Sequence, residues 1–317
     1  MARYVASRLF QTLVVLAVMS VVIYGLIGLM PGDPIDLMLS GNPKLTPADV
    51  QHLKALYGLD RPLYERYLNW LKAVLSGDLG YSRTYAKPVL DVLLPRLGNT
   101  AWLLGTSFLL SLALALPIGV LAAARPRSGT DATVNLLCFA GISVPPFWLA
   151  LLLIGLFAVD LGWLPAGGSE TVGNGSLGDR ALHLILPVLA LTLLSVAGFT
   201  RYLRAEMLEV LSQDYVRTAR AKGVPERSVL LKHALRNALI PVTTVIGLDF
   251  GALFSGALIT ETMFAYPGVG KLIYDSIMGN DYNLAMVALL FATFMTLIAN
   301  LLADLAVGWL DPRISLA

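Results

Sequence analysis

The sequence predicts an all-α protein that crosses a lipid bilayer several times. Three observations carry this. Of 317 residues, 56% are hydrophobic and 14% charged, whereas a soluble domain carries roughly 25% charged residues. The mean hydropathy is +0.71. The apolar residues are also gathered into runs that reach the ~20 residues a helix needs to cross a ~30 Å hydrocarbon core. The net charge of +2 gives no sign of nucleic-acid binding, so the placement of charge says more than its sum. A lone cysteine, Cys138, cannot form an internal disulfide, and His52, His183 and His233 supply no metal cluster.

Six runs predict six transmembrane helices, over 9–30, 100–123, 134–161, 182–200, 240–264 and 284–310. The first follows Arg3 and Arg8 and resembles a signal peptide, but its core is longer than the usual 7–15 residues or so, and "PGDP" follows in place of a small-residue cleavage site. It reads as a retained anchor. The segment "LTPADVQHLKALYGLDRPLYERYLNWLKAVL" then spaces Val50, Leu53, Leu56 and Tyr57, followed by Leu63, Tyr67, Leu68, Leu71 and Leu75, at helical intervals. Thr46 suits an N-cap and Pro47 the first helical position. Two short helices forming a small extracytoplasmic cap are expected, rather than a solvated linker.

The third run contains Pro145-Pro146 and should be kinked or broken there. In the fifth, Gly247, Gly251 and Ser255 form a small-residue stripe suited to close packing. Asp249 falls on nearly the opposite face, roughly 13 Å into the span at about 1.5 Å per residue. An acid at such depth is costly and suggests function. It either lines a path for a cationic solute or pairs with a polar group. In the sixth run, Thr293, Thr296, Asn300 and Asp304 form a polar stripe that should face protein or water.

Basic residues set the orientation. Arg3, Arg8, Arg125, Arg127 and Arg313 share one side with the cluster Arg201, Arg204, Arg217, Arg220, Lys222, Arg227, Lys232 and Arg236. The positive-inside rule makes that side, and both termini, cytoplasmic.

The most polar stretch between two spans is "DYVRTARAKGVPERSVLLKHALRNALIPV", starting at Asp214. One short helix should run to Lys222 and end at Gly223, since glycine tolerates the left-handed C-cap. A second should run from Glu226 to Leu239, and the next span should begin near Pro241. Ala219 and Ala221 leave small side chains on the first helix, and the arginines around them can pair with carboxylates of another protein. A basic loop resting on anionic headgroups is the alternative reading of the same residues.

This stretch resembles the coupling-loop signature of binding-protein-dependent ABC importer permeases. The general signature is Glu-Ala-Ala, three residues, Gly, then an apolar-x-apolar-Pro end. Here Arg217-Thr218-Ala219 fill the triplet, followed by Gly223, Ile240 and Pro241. Arginine in place of glutamate, as "RTARAKG", is the form of the dipeptide, oligopeptide and nickel permease subfamily. "PGDP", "GLDRPLYERYLNWL", "GDLGYS", "SVPPFW", "ETMFAYPGVGKL", "NDY" and "DPRI" resemble the same subfamily in the same order, over nearly the whole chain.

The resemblance implies a type I ABC importer permease fold. Residues 1–98 would hold the anchor and the extracytoplasmic helical segment. Residues 99–317 would form a core of five helices, with the cytoplasmic coupling loop at about 201–239. The implied partners are a second, distinct permease subunit, two cytoplasmic ATP-binding subunits and an external substrate-binding protein. ATP and Mg would bind those ATPase subunits, with no cofactor in this chain. The implied location is a bacterial or archaeal plasma membrane. Gly223 would set the angle of the coupling element, Arg217, Arg220 and Lys222 would make polar contacts, Ala219 would allow close approach, and Thr218 belongs to the same coupling loop. Asp249, Asn300 and Asp304 are candidates for the translocation path. Glu261 would sit at the external mouth, as a cap or as a contact for the binding protein. Peptides are the leading cargo, with a nickel or metal chelate as the alternative.

The residues argue against an enzyme. "AYPGVGKL" lacks the Walker A glycine, having Ala265 in its place, and Leu272 replaces the Ser or Thr after Gly-Lys. Asp249 and Asp304 lack the flanking blocks of an intramembrane aspartyl protease. No inverted repeat points to a secondary carrier.

Overall fold

The computed structural model describes residues 2–29 and 61–310, which are mostly helical. The helices are α1 (Ala2–Gly28), α2 (Leu63–Leu75), α3 (Val89–Ala124), α4 (Gly129–Ser143), α5 (Pro146–Leu153), α6 (Leu177–Leu211), α7 (Asp214–Ala221), α8 (Arg236–Met263), α9 (Val269–Met278) and α10 (Tyr282–Leu310). A π turn, Ile154–Asp160, extends α5, and a helical turn with a second π turn, Glu226–Ser228 and Val229–Leu235, leads into α8. Two short strands, β1 (Tyr81–Ser82) and β2 (Lys87–Pro88), pair antiparallel. Among the described residues four helices are long and apolar enough to cross a membrane, or five if the α4–α5 pair is one bent span.

Among the described residues the predicted spans are mainly helical, but the ends differ. The helix α3 starts at Val89, eleven residues before its apolar run, because Val89, Val92 and Leu93 bury one face while Leu90 and Leu94 stay exposed. A run-length criterion does not register such an amphipathic turn. Similarly, α6 continues to Leu211, so residues 201–211, expected in a loop, are helical. The second short helix does not stop before Pro241. Its backbone passes through the π turn Val229–Leu235 into α8, and Pro241 lies inside that helix. The break at Pro145-Pro146 is present: α4 and α5 meet at 101°. Proline disfavours the helical region for the residue before it, and Val144 is extended at ψ 123°.

Cα packing groups 1–98 with 272–295 as one compact unit, and 99–271 with 296–317 as another. In the first unit, α2 packs Tyr67 and Trp70 against Tyr24 of α1, with ring centroids 5.5 and 5.8 Å from that ring. Ser20 and Tyr67 share a 2.9 Å hydrogen bond. The contact face of α2 therefore includes Trp70, whereas Leu68 and Leu75, expected on it, are exposed. The segment expected to form the first cap helix, with Thr46 and Pro47, lies outside the described residues, as do "PGDP" and "DPRI".

The second unit holds two apolar cores. Leu103 and Leu104 of α3, Ala150 and Leu153 of α5, and Leu186, Ala190 and Leu191 of α6 pack with Ala257, Phe264 and Tyr266. Farther along, Leu203 and Met207 of α6 pack with Ala123, Ala234, Ala238 and Val242. Alanines at these positions bring helix backbones close, which suits helix packing in lipid. Trp102, Leu136 and Leu137 are more than 60% exposed. Such side chains suit a surface solvated by acyl chains rather than water.

Candidate functional site

The segment joining α6 to α8 is a folded element with its own core. The helix α7 ends in a Schellman turn: Val224 N–H donates to Ala219 O at 3.2 Å and Gly223 N–H to Arg220 O at 2.9 Å. Gly223 has φ 77°, where a side chain is strained. Val216, Ala219 and Val229 are buried together, with Val210, Leu211 and Val224 around them. This corrects the expectation for Ala219. It faces inward at 7% exposure and is not available for close approach by another protein. The exposed residues of α7 are Asp214, Tyr215, Arg217, Thr218, Arg220 and Ala221, with Lys222 exposed just after it.

The charges of this element are partly internal. Arg220 donates to both carboxylate oxygens of Glu226, at 3.1 and 2.6 Å, and so ties α7 to the turn after Gly223. Glu226 is held below the ordinary carboxylate range by this hydrogen bond, and Arg220 is raised by it. Arg217 pairs with Asp214 at 2.6 Å, and Thr218 Oγ1 donates to Asp214 O at 2.9 Å. Both ion pairs are solvent-exposed, where such pairs contribute about 0–1 kcal/mol. Glu226 was not among the predicted site residues; its six-residue spacing from Arg220 matches no single-helix pair.

For Glu261 the sequence leaves two roles open, a cap or a contact for the binding protein. It is 0% exposed and lies within the fold, where its surroundings are those of a cap. Thr100 Oγ1 donates to its Oε1 at 2.6 Å, and Lys271 N–H donates to its Oε2 at 3.1 Å. Val269 N–H donates to Thr100 Oγ1 at 2.9 Å, and Asn99 Nδ2 to Pro267 O at 2.8 Å. The carboxylate thus takes up the amide of Lys271 at the start of α9, where a helix favours negative charge. A Cβ on Gly268 would lie 2.1 Å from Glu261 Oε1, and one on Gly270 would lie 2.4 Å from Leu258 Cα. The glycines of "AYPGVGKL" leave room for a buried carboxylate and a close helix, not for a phosphate. Burial and the Glu261 charge push the Tyr266 hydroxyl up to about 12.

The blocks "GDLGYS" and "NDY" meet in the first unit. Asp281 caps α10: Leu284 N–H reaches its Oδ1 at 3.4 Å, while Ser82 Oγ and Thr84 N–H donate to its Oδ2 at 2.6 and 2.9 Å. Arg83 Nη2 donates to Gly279 O at 2.6 Å. A further polar contact joins α4 to α6. The buried carboxylate of Asp131 is forked by Arg204 through Nε and, at 2.7 Å, through Nη2. It also accepts from Arg127 N–H and from Asn135 Nδ2, both at 2.8 Å. Sequence reading counted Arg204 only as a topology signal and passed over Asp131.

Of the path candidates, Asn300 is half-buried on α10. The side chains of Asp249 and Asp304 lie outside the described part, although both residues sit on helical backbone. Thr293 Oγ1 donates to Leu289 O at 2.9 Å, within its own helix. Among the described residues no group of three His, Cys, Asp or Glu is placed to hold a metal ion.

Comparison with known proteins covers nearly the whole chain. Residues 115–316 match the family described as binding-protein-dependent transport system inner membrane component. Residues 1–103 match the N-terminal part of binding-protein-dependent transport system membrane components. The chain is 40% identical over 316 residues to the oligopeptide transport system permease protein AppB of Bacillus subtilis strain 168, covering 99% of each. It is 36% identical over 314 residues to the glutathione transport system permease protein GsiC of Escherichia coli strain K12, again covering 99% of each. A solved structure of the MetNI methionine ABC transporter, in an inward facing conformation, matches 71% of this chain and 98% of its own at 17% identity and TM-score 0.57. An amino acid ABC transporter solved with histidines matches 76% of this chain and 98% of its own, with TM-score 0.52. At such identities these two likenesses are of fold.

Proposed function

Because this chain belongs to the binding-protein-dependent transport system inner membrane components, we propose that it passes peptides through the membrane. It is a transport subunit of an ABC importer rather than an enzyme, and a multi-pass inner-membrane protein. The observation that carries the peptide reading is full-length similarity, at 36–40% identity, to permeases named for oligopeptide and glutathione transport. The named relatives do not favour the metal-chelate alternative.

In this reading the chain crosses the bilayer six times, with the bent α4–α5 pair as one span, α8 as another, and both termini in the cytoplasm. The extracytoplasmic cap follows α1. A second permease subunit completes the pathway, two cytoplasmic ATPases bind ATP and Mg, and an external protein delivers the peptide. The helix α7 is the coupling helix. Its exposed Arg217, Thr218, Ala221 and Lys222 meet one ATPase, while Gly223 and the Arg220–Glu226 pair set the angle of α7. ATP-driven closure of the ATPases moves α7 and switches the spans between two packed states. Asp249, with Asn300 and Asp304, lines the path.

The test is purification in mild detergent followed by mass spectrometry of what stays bound. A second permease and ATPase subunits are expected. A chain that purifies alone from cells expressing the whole system contradicts the reading.

A further inference from the structure

We propose that the Asp131–Arg204 pair is the link that carries movement of α7 into the broken span α4–α5. This rests on α7 being the coupling helix. Three observations lead to it. First, α7 and the end of α6 form one packed block, since Val216 and Ala219 pack with Val210 and Leu211 of α6 and with Val229. Movement of α7 therefore moves the end of α6. Second, Leu203 and Met207 hold the same stretch of α6 against Ala234, Ala238 and Val242, while the adjacent Arg204 reaches α4 instead. Third, α4 is an unbroken 15-residue helix between that contact and the bend of 101° after Ser143.

The chemistry suits a link that must not slip. A guanidinium fork on a carboxylate fixes direction as well as distance. The carboxylate is itself clamped. Arg127 N–H and Asn135 Nδ2 donate to it, and Ser128 Oγ caps Asp131 N–H at 3.2 Å. Asp131 is 3% exposed, so losing one partner leaves an uncompensated buried charge. Near the other end of α4, a Cβ on Gly141 would lie 3.1 Å from Ala197 Cβ. The helix α4 is thus held on α6 close to both ends and follows it as a rigid piece. Asp131 and Arg204 are positioning residues and touch no substrate.

The experiment uses the assembled importer with its binding protein in proteoliposomes, comparing wild type with Asp131→Asn and Arg204→Lys. The second variant keeps the charge but loses the fork. Two quantities are read: labelled peptide taken up per ATP hydrolysed, and maleimide labelling of Cys138. Cys138 is the only cysteine in the chain and lies buried on α4. Both variants should hydrolyse ATP near the wild-type rate, while uptake per ATP falls about tenfold, an ordinary coupling factor. Cys138 should label faster as α4 loosens from α6. Unchanged uptake per ATP, or a fall in uptake that only mirrors a fall in hydrolysis with Cys138 labelling unchanged, overturns the proposal. If Asp131→Asn does not assemble, Arg204→Lys and Asn135→Ala carry the same test. A wild-type complex that shows no peptide uptake contradicts the peptide reading instead. Cys138 labelling with and without ATP then still decides whether the pair transmits movement.

Discussion

Glu261 shows how far a single residue can be read from sequence. Its place in a family block near the end of a span leaves two roles open, a cap or a contact for the binding protein. The fold buries it because Thr100, 161 positions away, and the amide of Lys271 supply its donors. That partnership leaves no local sequence signal. Replacing Thr100 by valine removes one donor to the carboxylate and the acceptor of Val269 N–H, and should cost about 1–3 kcal/mol. Thermal unfolding of the purified subunit measures this, and an unchanged midpoint contradicts the buried knot. Tyr266 adds a pH dependence. Its hydroxyl is raised from 10.0 to about 12, so the folded state holds the proton more tightly than the unfolded one. Stability from this group is complete below pH ~10 and is lost as pH rises towards ~12. Tyr266→Phe should flatten that alkaline loss in a melting series.

At the scale of elements, apolar runs and punctuation were legible. The double proline predicts the α4–α5 break and Gly223 predicts the end of α7, because both act through local backbone sterics. The inward turn of Ala219 was not legible, since it depends on Val229 packing from beyond the glycine. Nor was the π turn at Val229–Leu235, which carries the backbone into α8 without a break. Gly223→Val forces a β-branched residue to φ 77°, at about 1–3 kcal/mol. ATP hydrolysis by the assembled complex should persist while peptide uptake falls. Full uptake by that variant argues against coupling through α7. The Arg220–Glu226 pair should be insensitive to pH near neutrality. The folded carboxylate is lowered, so its contribution is present above the unfolded value and lost only as pH falls through the folded one.

For the whole molecule, composition and charge placement pointed to a polytopic membrane protein, and recurrent blocks pointed to its family. How those blocks meet became visible only in three dimensions: "GDLGYS" joins "NDY" through Asp281, and α4 joins α6 through Asp131. Cargo selectivity is least legible, because a path that passes varied peptides needs few fixed side chains. Asp249→Asn should slow uptake of cationic peptides more than neutral ones, as measured by competing labelled cargo. Equal loss for both argues for a structural acid. The most direct measurement is uptake of a labelled peptide by proteoliposomes holding the assembled importer, with its binding protein outside and ATP inside. Accumulation that needs ATP, the binding protein and this chain is the expected result. Uptake that proceeds without ATP, or by this chain alone, contradicts an ATP-driven peptide importer.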